Sequence, residues 1–141
     1  MFRNILVPVD LADMNIAKAA LEQAAELATH SGGALRLINV QTLLPATFLD
    51  YVPSDFDGQI QETARNELKH VADKVPLPRE RISTIVRMGG VYPEILAEAD
   101  GWASDLIVIG SHRPAMSTYL LGSNAKTIVR HAKCSVLVVR L

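Results

Sequence analysis

Residues 4–10 read Asn-Ile-Leu-Val-Pro-Val-Asp, an unbroken apolar run that ends on a carboxylate. Strands with one face in water alternate apolar and polar side chains, whereas strands covered on both faces read as continuous apolar runs. Four more runs of this kind, rich in Val, Ile and Leu, follow along the chain. The five predicted strands span residues 5–9, 35–40, 82–86, 106–109 and 136–139. They predict a sheet that is buried on both faces.

Segments with helical periodicity lie between these runs, and their apolar stripes recur every three or four residues. The stripes are Ile16, Ala20, Ala24 and Leu27; Ile60, Ala64, Leu68, Val71 and Val75; Ile95, Leu96, Ala99 and Trp102; and Ala125, Ile128, Val129 and Ala132. Strands separated by helices cannot pair as hairpins, so the sheet should be parallel with right-handed crossovers. The predicted fold is a three-layer α/β sandwich around a five-stranded parallel sheet, in one domain over residues 1–141.

Composition excludes several classes of protein. The 141 residues carry 14 basic and 15 acidic side chains, a net charge of −1, so no basic excess points to nucleic acid. Apolar residues make up 49% and charged residues 21%, which excludes a disordered chain. The apolar runs are too short to span a bilayer of about 30 Å, and we recognise no secretory leader. A single cysteine, Cys134, excludes an internal disulfide. We expect a cytoplasmic protein that does not insert into membranes.

Ligands of an open parallel sheet bind beyond the carboxyl ends of the strands, where the strand order reverses. The residues that follow the predicted strands therefore form the candidate site. They are Pro8, Val9 and Asp10 after the first strand, Val40 after the second, Met88 and Gly89 after the third, and Gly110, Ser111, His112 and Arg113 after the fourth. The start of the last helix adds Gly122, Ser123, Asn124 and Ala125.

The start of the last helix is the most informative part of this set. Its free backbone N–H groups and the positive end of the helix dipole make it a natural anion site. N–H groups at Gly110 would add a second contact to a chain of phosphates. The plain alternative is that Ser123 and Asn124 are ordinary helix caps and that the glycines are ordinary turn residues. Neither the P-loop pattern nor G-x-G-x-x-G occurs in the sequence.

Three other features have two interpretations each. Asp10 either binds a ribose hydroxyl, a base amine or a phosphate-bound metal, or it is a helix cap or a loop carboxylate. Val40 and Met88 either sandwich a flat base or belong to the core. Residues 41–56 make a long connection between a strand and a helix, and they form either a folded surface loop or a lid or partner surface.

Nothing in the sequence points to catalysis. The histidines His30, His70, His112 and His131 are scattered, and none has a partner at the spacing of a metal site. Cys134 lies in no catalytic motif and is typical of a semi-buried structural thiol. We therefore predict no catalytic residues.

Three separated motifs resemble the universal stress protein family over essentially the whole chain. They are residues 4–10, Asp-Leu-Ile-Val-Ile-Gly-Ser-His at 105–112, and Leu-Gly-Ser-Asn-Ala at 121–125 with His-Ala-Lys-Cys-Ser-Val-Leu-Val-Val at 131–139. The pattern is most similar to the small bacterial members of the F/G type. The resemblance implies a Rossmann-like fold and an ATP site with the motif G-x2-G-x9-G-[ST]. Gly110, Gly122 and Ser123 match this motif, whereas Arg113 replaces its second glycine and the segment after it is one residue shorter.

The resemblance also implies roles for the candidate residues. Asp10 would lie near the ribose or the metal, Val40 against the adenine, and Met88 and Gly89 beside the base. The triphosphate would lie along Gly110, Ser111, His112 and Arg113, and its phosphates would be held at Gly122, Ser123, Asn124 and Ala125. A Mg²⁺ ion would be carried on the phosphates.

The same resemblance implies a homodimer that pairs through the last strand, and an apolar edge without lysine or proline agrees with it. The expected function is an ATP-binding stress-response or signalling module with no fast catalysis. One alternative is a nucleotide-free dimeric interaction module, in which Phe48 and Tyr51 contact partners. Another is a different nucleotide or flavin binder on the same architecture.

Overall fold

The computed structural model of the chain describes residues 1–42, 51, 55–111 and 123–140. Over these residues strands and helices alternate as β1 (Asn4–Pro8), α1 (Met14–Ser31), β2 (Ala34–Gln41), α2 (Phe56–Asp73), β3 (Ile82–Met88), α3 (Val91–Gly101), β4 (Leu106–Gly110), α4 (Ser123–His131) and β5 (Ser135–Val139). A single turn of 3-10 helix, Arg79–Arg81, precedes β3. The strands form one parallel sheet in the order β3-β2-β1-β4-β5. The predicted α/β class and five-stranded parallel sheet are confirmed.

Two apolar cores cover the two faces of the sheet. Successive side chains of a strand point to opposite faces. In β1, Ile5 and Val7 pack with α1 and α2, whereas Leu6 packs with α3 and α4. All three side chains are fully buried. Burial on both faces is the physical reason for the continuous apolar runs, and it produces the predicted three layers.

Alanines let α1 lie close to the sheet. The buried residues of this helix are Ala17, Ala20, Leu21, Ala24, Ala25 and Ala28. The helix ends at Gly32, whose φ of 71° is left-handed backbone that glycine adopts at little cost. This end agrees with the glycine pair at 32–33, which marks a helix stop in the sequence.

One predicted helix face needs correction. In α4, Ala125 and Ile128 are buried as expected, but Val129 is 46% exposed. Adjacent residues of an α-helix are turned by about 100° from each other. Because Ile128 faces the sheet, the next side chain turns toward solvent, and the apolar stripe is narrower than predicted.

A carboxylate ties β1 to the start of β4 at the amino ends of the two strands. Asp105 accepts hydrogen bonds from the backbone N–H groups of Arg3 (2.7 Å) and Asn4 (2.9 Å). The side-chain amide of Asn4 donates in turn to the carbonyl of Trp102 (3.1 Å). Since these residues are about a hundred positions apart in sequence, the bonds join the two halves of the sheet.

Two findings bear on the expectations from composition. Cys134, between α4 and β5, is partly buried, and burial raises the pKa of its thiol. The thiol therefore stays protonated at neutral pH and is a poor nucleophile. None of the helices in the described ranges is long and apolar enough to cross a membrane.

Replacing Asp105 with alanine should destabilise the fold, because two backbone N–H groups lose their acceptor. A hydrogen bond to a charged group contributes about 1.5–3 kcal/mol, and since this site is only partly buried we expect the free energy of unfolding to fall by about 2 kcal/mol. Equilibrium urea denaturation measures the difference. The matched control is Asp100→Ala, which removes an exposed ion pair with Lys133 and should change stability by less than about 0.5 kcal/mol. Equal losses in the two variants would contradict the role given to Asp105.

Candidate functional site

The order of the strands reverses between β1 and β4. The chain lays down β1, β2 and β3 in one direction and then places β4 and β5 on the other side of β1. A crevice forms at such a reversal because the helices that follow the two strands lie on opposite faces of the sheet. Here a cleft of about 250 Å³ opens at the carboxyl ends of the strands. Its lining is Pro8, Val9, Asp10, Asp13, Ile16, Ala17, Ile38, Asn39, Val40, Val91, Ile95, Ile109, Gly110, Asn124 and Ala125.

The cleft brings together part of the predicted site, namely Pro8, Val9, Asp10, Val40, Gly110, Asn124 and Ala125. Three other predicted residues lie elsewhere. Ser111 is buried, and its backbone N–H donates to the carbonyl of Val139 (2.8 Å) in β5. Met88 and Gly89 do not border the cleft. Met88 is the last residue of β3 and Gly89 follows it, and β2 separates this edge strand from β1.

Four predicted residues fall in or beside a part of the chain that is not described. His112, Arg113 and Gly122 lie outside the described residues, as does most of the connection 41–56. Ser123 begins α4, and only its backbone is described. Their match to the phosphate motif stays a prediction.

Sequence reasoning found the cleft residues of α4 but missed those that α1, the residue before it and α3 contribute. Asp13, Ile16 and Ala17 come from the start of α1, and Val91 and Ile95 come from α3. Periodicity placed both isoleucines on buried stripes, but a stripe does not say which of its turns lies at the carboxyl edge of the sheet. The signal that could have identified them is their place near the beginning of a helix, since a helix that follows a parallel strand begins at the carboxyl edge of the sheet.

The described lining of the cleft carries two carboxylates and no Lys, Arg or His. Asp10 is exposed, and its Oδ1 accepts the backbone N–H of Ala12 (2.9 Å) in the turn that leads into α1. Asp13 directly precedes α1 and makes no side-chain capping hydrogen bond. Among the described residues no group of three His, Cys, Asp or Glu side chains is placed to hold a metal. A cation bound here would therefore take further ligands from a bound molecule or from water.

Asn39 is a buried polar residue of the cleft, with 4% of its surface exposed. Its Nδ2 donates to the carbonyl of Val9 (2.9 Å), and its Oδ1 accepts from Nε2 of Gln41 (2.6 Å). A buried amide must be hydrogen-bonded to avoid a large desolvation cost. These two bonds meet that need and fix one amide group among otherwise apolar neighbours.

A second groove, of about 630 Å³, adjoins the cleft. Asp10, Asn39 and Val40 border both spaces. The groove is also lined by polar residues of α2, among them Gln59 and Thr63. The two spaces thus share a boundary along the carboxyl ends of β1 and β2.

The sequence is similar to those of known proteins along nearly its full length. The sequence model of the universal stress protein family covers residues 1–140. The chain belongs to the universal stress protein family. The resemblance that the motifs indicate is thereby confirmed.

Individual universal stress proteins agree with this assignment. Universal stress protein G of Escherichia coli O157:H7 is 34% identical, in a match that covers 99% of this chain and 100% of that protein. The structure of universal stress protein UspA from Lactobacillus plantarum has a TM-score of 0.80 at 27% identity and covers 99% of this chain and 98% of that one. A universal stress protein solved in complex with cAMP has a TM-score of 0.65 at 19% identity over 98% and 97% of the two chains, which shows the shared fold.

In this universal stress protein, Gly110 is required by packing. A Cβ atom at this position would lie 2.8 Å from the carbonyl oxygen of Ile16 and would also overlap the Ile16 side chain. Ile16 is in the first turn of α1, so the helix can approach the end of β4 only where the strand has no side chain. The first glycine of the proposed phosphate motif therefore has a steric cause that does not depend on a ligand.

We expect Gly110→Ala to be less stable than the wild-type universal stress protein. Forcing extra atoms into a packed site costs about 1–3 kcal/mol, and α1 must move to admit the methyl group. The control is Gly58→Ala in α2, where no atom lies within 4 Å of the added carbon and helix propensity predicts a gain of up to about 1 kcal/mol. Urea denaturation of both variants measures the effect. Wild-type stability of Gly110→Ala would show that α1 does not press on the end of β4.

Proposed function

We propose that this universal stress protein binds ATP with Mg²⁺ in the cleft and acts as a nucleotide-dependent stress-response module without fast catalysis. The observation that carries the proposal is that apolar side chains and the first turn of α4 meet at the reversal of strand order. Val40, Val91 and Ile95 supply the apolar part of the lining, and Asn124 and Ala125 supply the helix start. The first group suits a flat base, and the second suits phosphates.

The apolar part of the cleft has the chemistry of a site for an adenine ring. Sites for small molecules are mostly apolar, with a few fixed polar groups that orient the ligand, and they typically measure about 300–1,000 Å³. The cleft of about 250 Å³ lies just below this range, and the adjoining groove of about 630 Å³ enlarges the space. The methyl groups of β2 and α3 offer the apolar contacts, and the fixed amide of Asn39 offers a polar one. The adjoining groove gives room for the ribose. The related protein solved with cAMP supports an adenine nucleotide as the class of ligand for this fold.

The start of α4 is the proposed phosphate site. The first N–H groups of a helix lack intrahelical acceptors, and they carry the positive end of the helix dipole. Asn124 and Ala125 bring this helix end to the cleft. Arg113, at the position of the motif's second glycine, would add a planar set of donors to the phosphates.

The two carboxylates of the cleft are the reason for including Mg²⁺. Asp10 and Asp13 would repel a bare triphosphate, because like charges in a partly enclosed site interact strongly. Mg²⁺ prefers oxygen ligands and is commonly held by one or two carboxylates together with the phosphates of its substrate. The two aspartates fit that donor set, and Asp13 has no capping hydrogen bond to give up. When bound, the ion would neutralise the charge between carboxylate and phosphate.

The same two side chains argue against rapid turnover. Among the described residues of the cleft, Asp10 and Asp13 are the titratable ones. A general base must lie within hydrogen-bond reach of the group that it activates. Oδ1 of Asp10 already accepts the N–H of Ala12, which makes it a poor base for an attacking water. Asp13 would be a ligand of the Mg²⁺ ion, so its carboxylate would not be free to act as a base either. Binding and release of nucleotide, rather than its hydrolysis, is the proposed activity.

Val40→Phe should weaken the binding of ATP–Mg²⁺ at least tenfold, or about 1.4 kcal/mol, because the larger ring would fill part of the cleft. Val86→Phe is the matched control. Val86 is also partly buried near the carboxyl end of a strand, but it packs with the core on the other face of the sheet and does not border the cleft. Isothermal titration calorimetry measures both affinities, and urea denaturation confirms that both variants fold. Equal effects of the two substitutions would contradict the proposed place of the ligand.

We also propose that two copies of the chain pair through β5. This strand is an edge of the sheet, it has no charged residue or proline, and Leu137 is 37% exposed. The opposite edge, β3, carries the polar residues Ser83, Thr84 and Arg87. Edge strands without charges or proline tend to pair with another strand, and pairing of two identical edges closes a twofold dimer.

Leu137→Asp should convert the dimer to a monomer, because it places a charge on the paired edge. Sedimentation equilibrium should give twice the 15.4 kDa of the chain for the wild type and the chain mass for the variant. Met14→Asp is the control, since Met14 is exposed to the same extent but lies on α1. A monomeric wild type would overturn the dimer. A dimer with no affinity for ATP–Mg²⁺ would favour the nucleotide-free interaction module.

A further inference from the structure

A cluster of four charged residues holds α3 against the sheet outside the cleft. It consists of Arg36 of β2, Arg87 of β3, and Glu94 and Glu98 of α3, and we call it the α3 charge cluster. Glu98 is only 6% exposed and bridges both arginines, with Oε2 at 2.7 Å from Nη1 of Arg36 and Oε1 at 3.0 Å from Nη1 of Arg87. Glu94 completes the cluster through a bond of 2.8 Å from its Oε1 to Nε of Arg87.

Arg36 also contacts residues outside the cluster, whereas Arg87 is paired within it. Nε of Arg36 donates to Oγ of Ser83 (2.9 Å), and the guanidinium carbon of Arg36 lies 4.4 Å from the centre of the Trp102 ring. The hydrogen bond to Glu94, and then that to Glu98, raises the pKa of the Arg87 guanidinium further above its ordinary value. The guanidinium of Arg87 therefore stays charged wherever the protein is folded.

The α3 residues that border the cleft and the α3 residues of the charge cluster form neighbouring stripes on the helix. Val91 and Ile95 border the cleft, and Glu94 and Glu98 belong to the cluster. Residues four apart lie on one face of a helix, and the two pairs are offset by three positions. Ile95 and Ala99 are the buried apolar residues of α3, and Val91 and Leu96 pack partly buried against the same core. The ion pairs of the cluster therefore act together with these apolar contacts in determining where the helix sits.

The cluster also reaches the turn between β3 and α3. Gly89 has a φ of 144°, and a Cβ atom there would lie 3.0 Å from Cγ of Glu94. The backbone N–H of Gly89 donates to the carbonyl of Gln41 (2.9 Å), which extends the pairing of β3 with β2. Glu94 thus packs over the residue from which α3 departs, and Arg87 holds Glu94 in place.

Buried ion pairs set geometry more effectively than they add stability, because the cost of desolvating the charges offsets most of their attraction. We propose that the α3 charge cluster, centred on Glu98, is a positioning device that sets the distance of Val91 and Ile95 from the rest of the cleft and thereby the affinity for the base of the nucleotide. This inference rests on the proposed function of the cleft. Glu98 is a positioning residue, since it does not border the cleft itself.

The test compares three variants with the wild type. Glu98→Gln keeps the shape of the side chain and removes its charge. The double variant Arg36→Met/Glu98→Leu replaces the Arg36–Glu98 pair with apolar side chains of similar size and leaves Arg87 paired with Glu94 alone. Glu62→Gln is the control, because Glu62 pairs with Arg65 on the exposed face of α2, with its side chain 66% exposed. Calorimetric titration with ATP, ADP and AMP in the presence of Mg²⁺ gives the affinities, and thermal denaturation reports the fold.

We expect Glu98→Gln and the double variant to lose about tenfold in affinity, while Glu62→Gln stays within twofold of the wild type. The loss should be the same for ATP, ADP and AMP, because the wall formed by α3 meets the base and not the phosphates. If the substitutions instead loosened the whole fold, the loss of affinity would be largest for ATP, smaller for ADP and smallest for AMP. The double variant should melt within about 5 °C of the wild type, so it decides the test if Glu98→Gln does not fold.

Wild-type affinity in both cluster variants would overturn the inference and leave the proposed function intact. A loss that depends on the number of phosphates would also overturn it. A wild-type protein that binds none of the three nucleotides would overturn the proposed function, and the inference with it.

Discussion

The pairing of β1 with β4 is the contact on which the rest of the structure depends. It joins two halves of a sheet that the chain lays down on opposite sides of β1, through the register Ile5 with Leu106 and Leu6 with Ile107. The carboxylate of Asp105 fastens the two strands at their amino ends. The helices that come next in the chain after each of these strands in the described residues, α1 and α4, lie on opposite faces of the sheet, and the cleft opens at the carboxyl ends of the strands. One pairing therefore both closes the fold and places the cleft.

Among the described residues three helices border this cleft, and different interactions bring α1 and α3 to it. α1 can lie close because its buried face is mostly alanine and Gly110 admits Ile16 at the end of β4. α3 is held by the apolar contacts of Ile95 and Ala99 and also by charge, with Glu98 bridging Arg36 and Arg87 over the face of β2 and β3. Steric contact permits little adjustment, whereas an ion-pair network sets a position without tight packing. The side of the cleft that α3 forms is thus the one whose position a few charges can alter.

The charge of the cleft narrows the class of ligand. Its described lining holds Asp10 and Asp13 and no basic residue, yet the first turn of α4 lies at the same place. Carboxylates attract a cation, and a helix start attracts an anion. A nucleotide that carries a divalent cation on its phosphates satisfies both demands, whereas a bare anion or a bare cation satisfies one. This is the physical basis for our proposal that this member of the universal stress protein family binds ATP–Mg²⁺.

The sequence by itself determined the alternation of five strands and four helices and the parallel sheet, because a strand that is buried on both faces needs a continuous run of apolar residues. It also identified Asp10 and Val40 as cleft residues, since both are close to the carboxyl end of a strand. Only the tertiary structure decided the strand order, which places Met88 at an edge strand away from the reversal. Only the tertiary structure showed Glu98 as a buried bridge, since a glutamate in a helix ordinarily faces water. Local patterns record whether a residue is buried. Which buried residues meet depends on contacts between segments far apart in the chain.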